Sequence, residues 1–329
     1  MKKYKICKIL LVILAIFLCV AFYELLGICV AYKKQPEVSN TTKKETKNGS
    51  WNECSENTER AVIIEKNPEA LLQRVRLIKN AKKEIILSTF AFQSDESGKL
   101  ILGALHDAAD RGVHIRLLVD GMESWIDMEG NPYFYGLSSH ENVEIKLYNK
   151  ANPLKPWKMM GRMHDKYLIA DGKRYILGGR NTYNYFLGDF PGHKNYDRDV
   201  LVVCDEPEKE NSVNQLLEYF ETIWEQEDSG YFHDNKKLAN RKSVKNAVLE
   251  LQNGYQKYFE ENKERICDTD YTDETFETEK IALVSNPIHT GSKEPVVWYQ
   301  LGELMKNAKN RVKIHTPYII CNDMMYNTW

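Results

Sequence analysis

The sequence lacks both a strong net charge and a regular spacing of cysteines. Its formal net charge is −2 over 329 residues, so no global positive field attracts nucleic acid or anionic lipid, and any anion site must be built locally. The seven cysteines are scattered without a C-x-x-C pair. This scatter argues against a disulfide framework and against a zinc site. The hydrophobic fraction of 43% and the charged fraction of 28% are ordinary for a folded protein.

A long apolar run stands at the N-terminus. Four lysines precede residues 9–32, which are apolar apart from Glu24. About 20 apolar residues suffice to cross a bilayer, and the apolar region of a cleaved signal peptide is usually shorter. We therefore predict a transmembrane anchor at residues 1–34 and a single-pass protein of the cell membrane. Lysines flank the run on both sides, so the charge rule leaves the side of the membrane open.

Polar residues then give way to alternating strand and helix patterns. Residues 35–58 contain few apolar residues and are predicted to be a flexible linker. From residue 60 onward, strands are predicted at 61–64, 84–92 and 113–120, with helices at 68–80 and 99–111 between them. This alternation predicts an α/β fold, in which a mixed or parallel sheet is covered by helices.

A short internal similarity indicates a duplication. Residues 77–89 (LIKNAKKEIILST) and 304–316 (LMKNAKNRVKIHT) are identical at six of thirteen positions, and each copy lies where a helix pattern passes into a strand pattern. We predict one complete repeat at residues 59–205, a helical connector at 206–280, and the start of a second, truncated repeat at 281–329.

The most informative segment is MHDKYLIADGKRYILGGRN at residues 163–181. Its spaced elements are His164, Lys166, Asp171, Gly178, Gly179 and Asn181. From average residue frequencies, six fixed residues at fixed spacings arise by chance on the order of once in tens of millions of starting positions. The pattern is therefore a specific signal.

The spacing of this segment suits a phosphate site. A strand over residues 164–170 puts His164 and Lys166 on one face, and Asp171-Gly172 is typical of a tight hairpin. Gly178 and Gly179 allow a ligand to approach the backbone, and Asn181 supplies an amide donor. An imidazole, an ammonium, an amide and exposed backbone N–H groups together suit a tetrahedral phosphate.

The motif resembles the HKD signature of the phospholipase D superfamily. The GGRN ending, the preceding Arg162-Met163 and residues 109–120 are most similar to bacterial cardiolipin synthases. The resemblance implies two such motifs facing each other across a pseudo-two-fold axis, and this sequence shows one. It also implies that no metal and no cofactor is needed, because cationic side chains stabilise the charge on the phosphoryl group.

The resemblance further implies roles for single residues. His164 becomes the nucleophile that forms a phosphohistidine intermediate, or the general acid. Lys166 and Asn181 neutralise the non-bridging oxygens, and Asp171 supports them from the opposite strand face. In the segment NYDRDVLVV, Asp197 is the first choice for the carboxylate that orients His164, and Asp199 is the alternative. Ordinary surface carboxylates are the competing interpretation of both.

The expected function is a membrane-anchored phosphodiesterase or phosphatidyltransferase that acts on phospholipid in a bacterial cell membrane, without a nucleic-acid partner. Two alternatives stay open: a nuclease of the same superfamily, and an inactive fragment or half-site that needs a second copy or a missing C-terminal half. The acceptor alcohol is also open.

A basic stretch around Trp157 is formed by Lys155, Lys158 and Arg162. It either contacts lipid headgroups or is an ordinary solvated loop.

Overall fold

The computed structural model describes residues 2–47, 59–207, 211–233, 235–314, 316 and 323–326. The chain forms two compact units. The sheet unit comprises residues 55–152 and 162–281, and the helix unit comprises residues 1–54, 153–161 and 282–329.

The sheet unit is built on one mixed sheet with nine strands in its described residues. The strands are β1 (Arg60–Ile64), β2 (Glu84–Thr89), β3 (His114–Asp120), β4 (Val143–Tyr148), β5 (Tyr167–Ala170), β6 (Arg174–Gly178), β7 (Asp199–Val203), β8 (Ser229–Tyr231) and β9 (Phe276–Glu277). Their order is β8-β4-β3-β2-β5-β6-β7-β1-β9. Strands β2, β3 and β4 run parallel, and every other neighbouring pair is antiparallel. The predicted mixed α/β architecture is confirmed.

Helices cover this sheet because they connect its parallel strands. The α-helices of the described chain are α1 (Lys2–Tyr32), α2 (Asn40–Lys47), α3 (Asn67–Asn80), α4 (Glu96–Asp110), α5 (Gly121–Asp127), α6 (Pro132–Ser138), α7 (Ser212–Trp224), α8 (Lys242–Glu261), α9 (Lys263–Cys267), α10 (Val296–Asn307) and α11 (Asp323–Tyr326). Successive residues Ile85, Ile86 and Leu87 of β2 are all buried. Since successive side chains of a strand point to opposite faces, both faces of the sheet are covered here.

The stretch 206–280 belongs to the sheet as well as to the helical layer. It contributes α7, α8 and α9. It also supplies β8, which pairs with β4, and β9, which pairs with β1. These two edge strands have three and two residues, which is too short to show a period of two in the sequence.

The helix unit contains the apolar N-terminal helix. Within Tyr4–Tyr32, an 18-residue window has a mean hydropathy of 2.9, and none of that window is buried. Among the described residues, α1 is the one helix whose length and composition suit a membrane span.

Part of the predicted flexible linker is helical. Helix α2 begins directly after Ser39, whose hydroxyl accepts a hydrogen bond from Thr42 N at 3.1 Å and thereby caps the first turn. The Glu294 carboxylate accepts from Ser39 N at 2.8 Å and from the Thr42 hydroxyl at 2.7 Å. These distant contacts explain why a polar segment without helical periodicity is ordered. Residues 48–58 of the predicted linker lie outside the described residues.

The predicted second repeat is helical where it is described. Helix α10 is present, but residues 281–284 and 309–314 form no strand. A strand needs a neighbour to pair its backbone groups, and the described part of the helix unit contains none. Residues 315 and 317–322 lie outside the described residues.

Candidate active site

His164 lies just before β5, at the end of the sheet where β2 finishes. The antiparallel pairing of β5 with β2 sets Tyr167 opposite Ser88, so residues 164–166 adjoin Phe90, the residue after the final β2 residue Thr89. The ring centroids of His164 and Phe90 are 4.6 Å apart in an edge-on arrangement. The carboxyl ends of β2 and β3 therefore meet the motif at one edge of the sheet, where ligands of open α/β sheets bind.

The regular strand is shorter than the sequence predicted. It begins at Tyr167 and not at residue 164, although Gly178 N still donates to Lys166 O at 3.1 Å. Beyond β6, the Arg180 guanidinium donates to Ile64 O at 3.1 Å and to Glu65 O at 2.6 Å. His164 lies before the regular strand, and its side chain is exposed.

Asp120, the last residue of β3, anchors the chain that leads to His164. Its buried carboxylate caps α5 by accepting from Met122 N and Glu123 N at 3.0 and 3.2 Å. It also accepts from Arg162 Nε at 2.9 Å and from Met163 N at 3.0 Å. Sequence reasoning missed this residue. A carboxylate at the end of a buried parallel strand was the available signal.

The electrostatic surroundings keep the His164 imidazole neutral. Partial burial lowers its pKa, and the nearby positive charges of Lys166 and Arg162 lower it further, whereas the negative charge of Asp120 acts in the opposite direction. Since an unperturbed imidazole titrates near pH 6.5, the neutral form is favoured at neutral pH. A neutral, exposed imidazole can act as a nucleophile.

Lys166 supplies a buried ammonium beside the imidazole. Its Nζ donates to His164 O at 2.7 Å and lies 5.2 Å from the centroid of the Phe90 ring. Burial lowers the pKa of Lys166 to about 8, against the opposing effect of Asp165 and Asp197. Asp165 is itself held by the Tyr219 hydroxyl of α7, which donates to it at 2.8 Å.

Asn181 is also brought to this edge of the sheet. Its side chain is buried, and its Oδ1 accepts from Ala91 N at 3.3 Å. Ala91 follows Phe90 in the chain, so one segment after β2 contacts both His164 and Asn181. The motif residues His164, Lys166 and Asn181 are thus gathered around the end of β2.

The two glycines make room for carboxylates. A Cβ on Gly178 would collide with Asp199, and a Cβ on Gly179 would collide with Asp197. From the sequence, an approaching ligand was expected in this space. The structure corrects that interpretation, because aspartate side chains pack against both backbones.

The two candidate orienting carboxylates differ in environment. Asp199 is fully buried, and its Oδ2 lies 2.9 Å from Arg74 and 3.3 Å from Arg180. Its Oδ1 makes no hydrogen bond to the described residues, so Asp199 does not orient His164. Asp197 lies close enough to raise the pKa of Lys166. Its assignment as the orienting carboxylate stays a prediction, and the negative charge that acts on the imidazole belongs to Asp120.

Asp171 does not join the site. It lies in the β5–β6 turn with a φ of 55°, followed by Gly172 with a φ of 64°, so the predicted hairpin is confirmed. Its carboxylate accepts from the backbone N–H groups of Lys82, Lys83 and Glu84 at 2.7–3.1 Å. Five residues of extended chain, roughly 16 Å, separate it from Lys166. Asp171 ties the far end of the hairpin to β2, so its expected support of the reacting groups is corrected to a structural role.

Comparison with known proteins agrees with this geometry. The family described as "Cardiolipin synthase, PLD-like domain" matches residues 74–224, a range that includes β2, β3 and the whole motif. Residues 74–224 therefore form a domain of the phospholipase D superfamily. Within that superfamily it is similar to cardiolipin synthases, as the motif implied.

Individual relatives of this phospholipase D-like chain match it in part. An uncharacterized protein of Helicobacter pylori (strain J99 / ATCC 700824) is 28% identical over 292 residues, covering 79% of this chain and 54% of that protein. Cardiolipin synthase C of Escherichia coli (strain K12) is 29% identical over 171 residues, covering 48% of this chain and 34% of that protein. The solved structure of NucT from Helicobacter pylori has a TM-score of 0.42 at 17% identity and covers 53% of this chain and 99% of NucT. The chain spans about half the length of the first of these relatives.

Proposed function

We propose that this chain is a phospholipid phosphodiesterase or phosphatidyltransferase of the phospholipase D type, with His164 as the nucleophile. The observation that carries the proposal is the exposed His164 imidazole, whose pKa is lowered beside the buried ammonium of Lys166. Such a pair combines an attacking nitrogen with a positive charge that binds phosphate.

The reaction divides into two displacements at phosphorus. A ring nitrogen of His164 attacks the phosphodiester, the bond from phosphorus to the leaving alkoxide breaks, and a general acid protonates that oxygen. The resulting phosphohistidine is then attacked by water or an alcohol, which gives up its proton to the same group as the P–N bond breaks. Lys166 and Asn181 neutralise the non-bridging oxygens throughout.

The general acid is the second histidine that the superfamily pattern requires. We propose that a second copy of this chain, or the remainder of a longer protein, supplies it. A dimer whose two-fold axis passes through the site would set two His164 side chains face to face. Asp197 would then hold the imidazole in the reactive tautomer.

Phospholipid is the proposed substrate because of α1. A helix that can span a bilayer would hold the site close to membrane lipids, and cardiolipin synthases are among the relatives of the chain. A net charge of −2 offers little attraction to the phosphates of DNA.

The test is a lipid-product assay on the full chain reconstituted in phosphatidylglycerol vesicles. Wild type is expected to release a lipid product and to carry a phosphatidyl adduct on His164, detected by mass spectrometry after alkaline quenching. His164→Ala should abolish both, whereas His193→Ala, at an exposed loop histidine whose ring hydrogen-bonds to Asn195, should retain both. Plasmid nicking that depends on His164, without any lipid product, would establish a nuclease and overturn the proposal.

A further inference from the structure

A short segment of the helix unit exposes large apolar side chains. Residues 153–161 (PLKPWKMMG), called here the interface loop, include Leu154 at 77%, Trp157 at 46% and Met160 at 57% exposure. The loop contains no aspartate or glutamate, but it carries Lys155 and Lys158. Exposed apolar side chains next to lysines and a tryptophan are the composition of a surface that lies at a membrane boundary.

The interface loop is packed against the last turns of α1. Pro156 lies so close to Gly27 that a Cβ at this glycine would collide with the proline ring. The Tyr23 hydroxyl, one helical turn earlier on the same face, donates to Leu154 O at 3.1 Å. These contacts hold the loop beside α1 at the level of residues 23–27.

A second set of contacts fixes the other end of the loop. Gly161 packs directly against Thr290, and the Tyr32 hydroxyl donates to the carbonyl oxygen of this threonine at 2.7 Å. Residues 23–32 are the final turns of the apolar helix. In a membrane-spanning α1 of this length, they lie where the chain leaves the hydrocarbon core.

The charges of the loop suit an anionic lipid surface. Lys155 is exposed, and its stem and that of Lys158 are long enough to carry their ammonium groups to headgroup phosphates. Arg162, which the sequence grouped with these lysines, is instead paired with Asp120 and Glu123 at 2.7 and 3.1 Å. The loop charges that we assign to the lipid surface are the exposed Lys155 and the half-buried Lys158.

We infer that the interface loop is a second membrane contact, which inserts Trp157 and Met160 at the headgroup level of the bilayer that α1 spans. Lys155 and Lys158 bind anionic phospholipid headgroups at the same level. Gly161 is three residues before His164 in the sequence, so the loop that enters the interface is continuous with the chain that carries the nucleophile. The inference requires α1 to span the bilayer and is independent of the phosphodiesterase reaction.

The test measures quenching of Trp157 fluorescence by brominated lipid. The full chain is reconstituted in vesicles of equal amounts of phosphatidylcholine and phosphatidylglycerol, with or without bromine on the acyl carbons nearest the headgroup. Because the chain has six tryptophans, the signal of Trp157 is the difference between wild type and Trp157→Phe. This difference spectrum is expected to lose most of its intensity in the brominated vesicles.

Charge reversal tests the lipid class. Lys155→Glu combined with Lys158→Glu is expected to reduce the quenching of Trp157 severalfold, because the anionic surface then repels the loop. Lys242→Glu combined with Lys245→Glu reverses two exposed lysines with the same spacing on α8 and should leave the quenching unchanged. Similar quenching in vesicles of phosphatidylcholine alone would overturn the assignment to anionic headgroups.

Substitutions in α1 test whether its contact with Pro156 positions the interface loop. Gly27→Val should displace Pro156 and weaken the quenching of Trp157, whereas Ala21→Val, at an exposed position of α1, should not. An unquenched Trp157 in a chain that floats with the vesicles would show that the loop is a solvated turn. A chain that does not float with the vesicles would overturn the inference through its requirement for α1.

Discussion

In the proposed reaction the ammonium group of Lys166 must be charged to bind phosphate, yet Lys166 is buried. Burial lowers its pKa to about 8, far below the usual value of about 10.4. The charged form therefore destabilises the fold at neutral pH, and this penalty disappears as the pH rises from about 8 to about 10.4. A buried charge that lowers the stability of the fold is typical of functional sites.

Substitution of Lys166 by an apolar residue should consequently raise the stability of the fold and abolish activity. Lys166→Met is expected to raise the free energy of unfolding at neutral pH by about 1–2 kcal/mol, after allowance for the lost hydrogen bond to His164 O, and to abolish activity. Urea denaturation at neutral pH and near pH 10 should show the gain only at the lower pH. Lys146→Met is the matched control, since this buried lysine donates to Trp224 O at 2.8 Å and should only lose stability. A destabilised Lys166→Met would contradict the expectation.

Asp120 is predicted to act on the reaction through its negative charge. Asp120 raises the pKa of His164, so Asp120→Asn should lower that pKa and move the acidic limb of the pH–activity profile to lower pH. Glu123→Gln is the control, because Glu123 also pairs with Arg162 at 3.1 Å but does not contribute to the shift of His164. A stability loss of about 1–3 kcal/mol with an unmoved acidic limb would reduce Asp120 to a purely structural residue.

At the scale of elements, the turn of the β5–β6 hairpin is predicted to stabilise the fold without taking part in the reaction. Asp171 holds three backbone N–H groups at the start of β2, and its positive φ suits aspartate or asparagine better than alanine. Asp171→Ala is expected to cost about 1–3 kcal/mol of stability, with Asp171→Asn intermediate. The kcat of the folded fraction should stay within about twofold of wild type. If Asp171→Asn lost most of its kcat at an unchanged urea midpoint, Asp171 would have to take part in the reaction.

At the scale of the whole molecule, the proposal that a second copy supplies the general acid predicts that activity depends on assembly. If two copies share one site, mixing wild type with His164→Ala chains before reconstitution should lower activity as the square of the wild-type fraction. A chain that acts alone would instead lose activity in direct proportion to that fraction. The mixing ratio can be checked by mass spectrometry, and light scattering gives the size of the assembly.

The sequence by itself determined the features that depend on local pattern. The spacing of His164, Lys166 and Asn181 identified the superfamily, the strand–helix alternation predicted the α/β sheet, and Asp171-Gly172 predicted the hairpin. Local pattern suffices in these cases because turn geometry and side-chain alternation are set by neighbouring residues.

Tertiary structure alone decided which partner each charged group has. Asp171 pairs with backbone 87–89 residues away, and Asp120 with Arg162 at a separation of 42 residues. Asp199 pairs with Arg74, which lies 125 residues earlier in the chain. A carboxylate near a motif looks the same in a sequence whether it serves the reaction or the fold. The packing of strands that are distant in the chain determines which hydrogen-bond donors and positive charges surround it, and so whether it acts on the reacting groups.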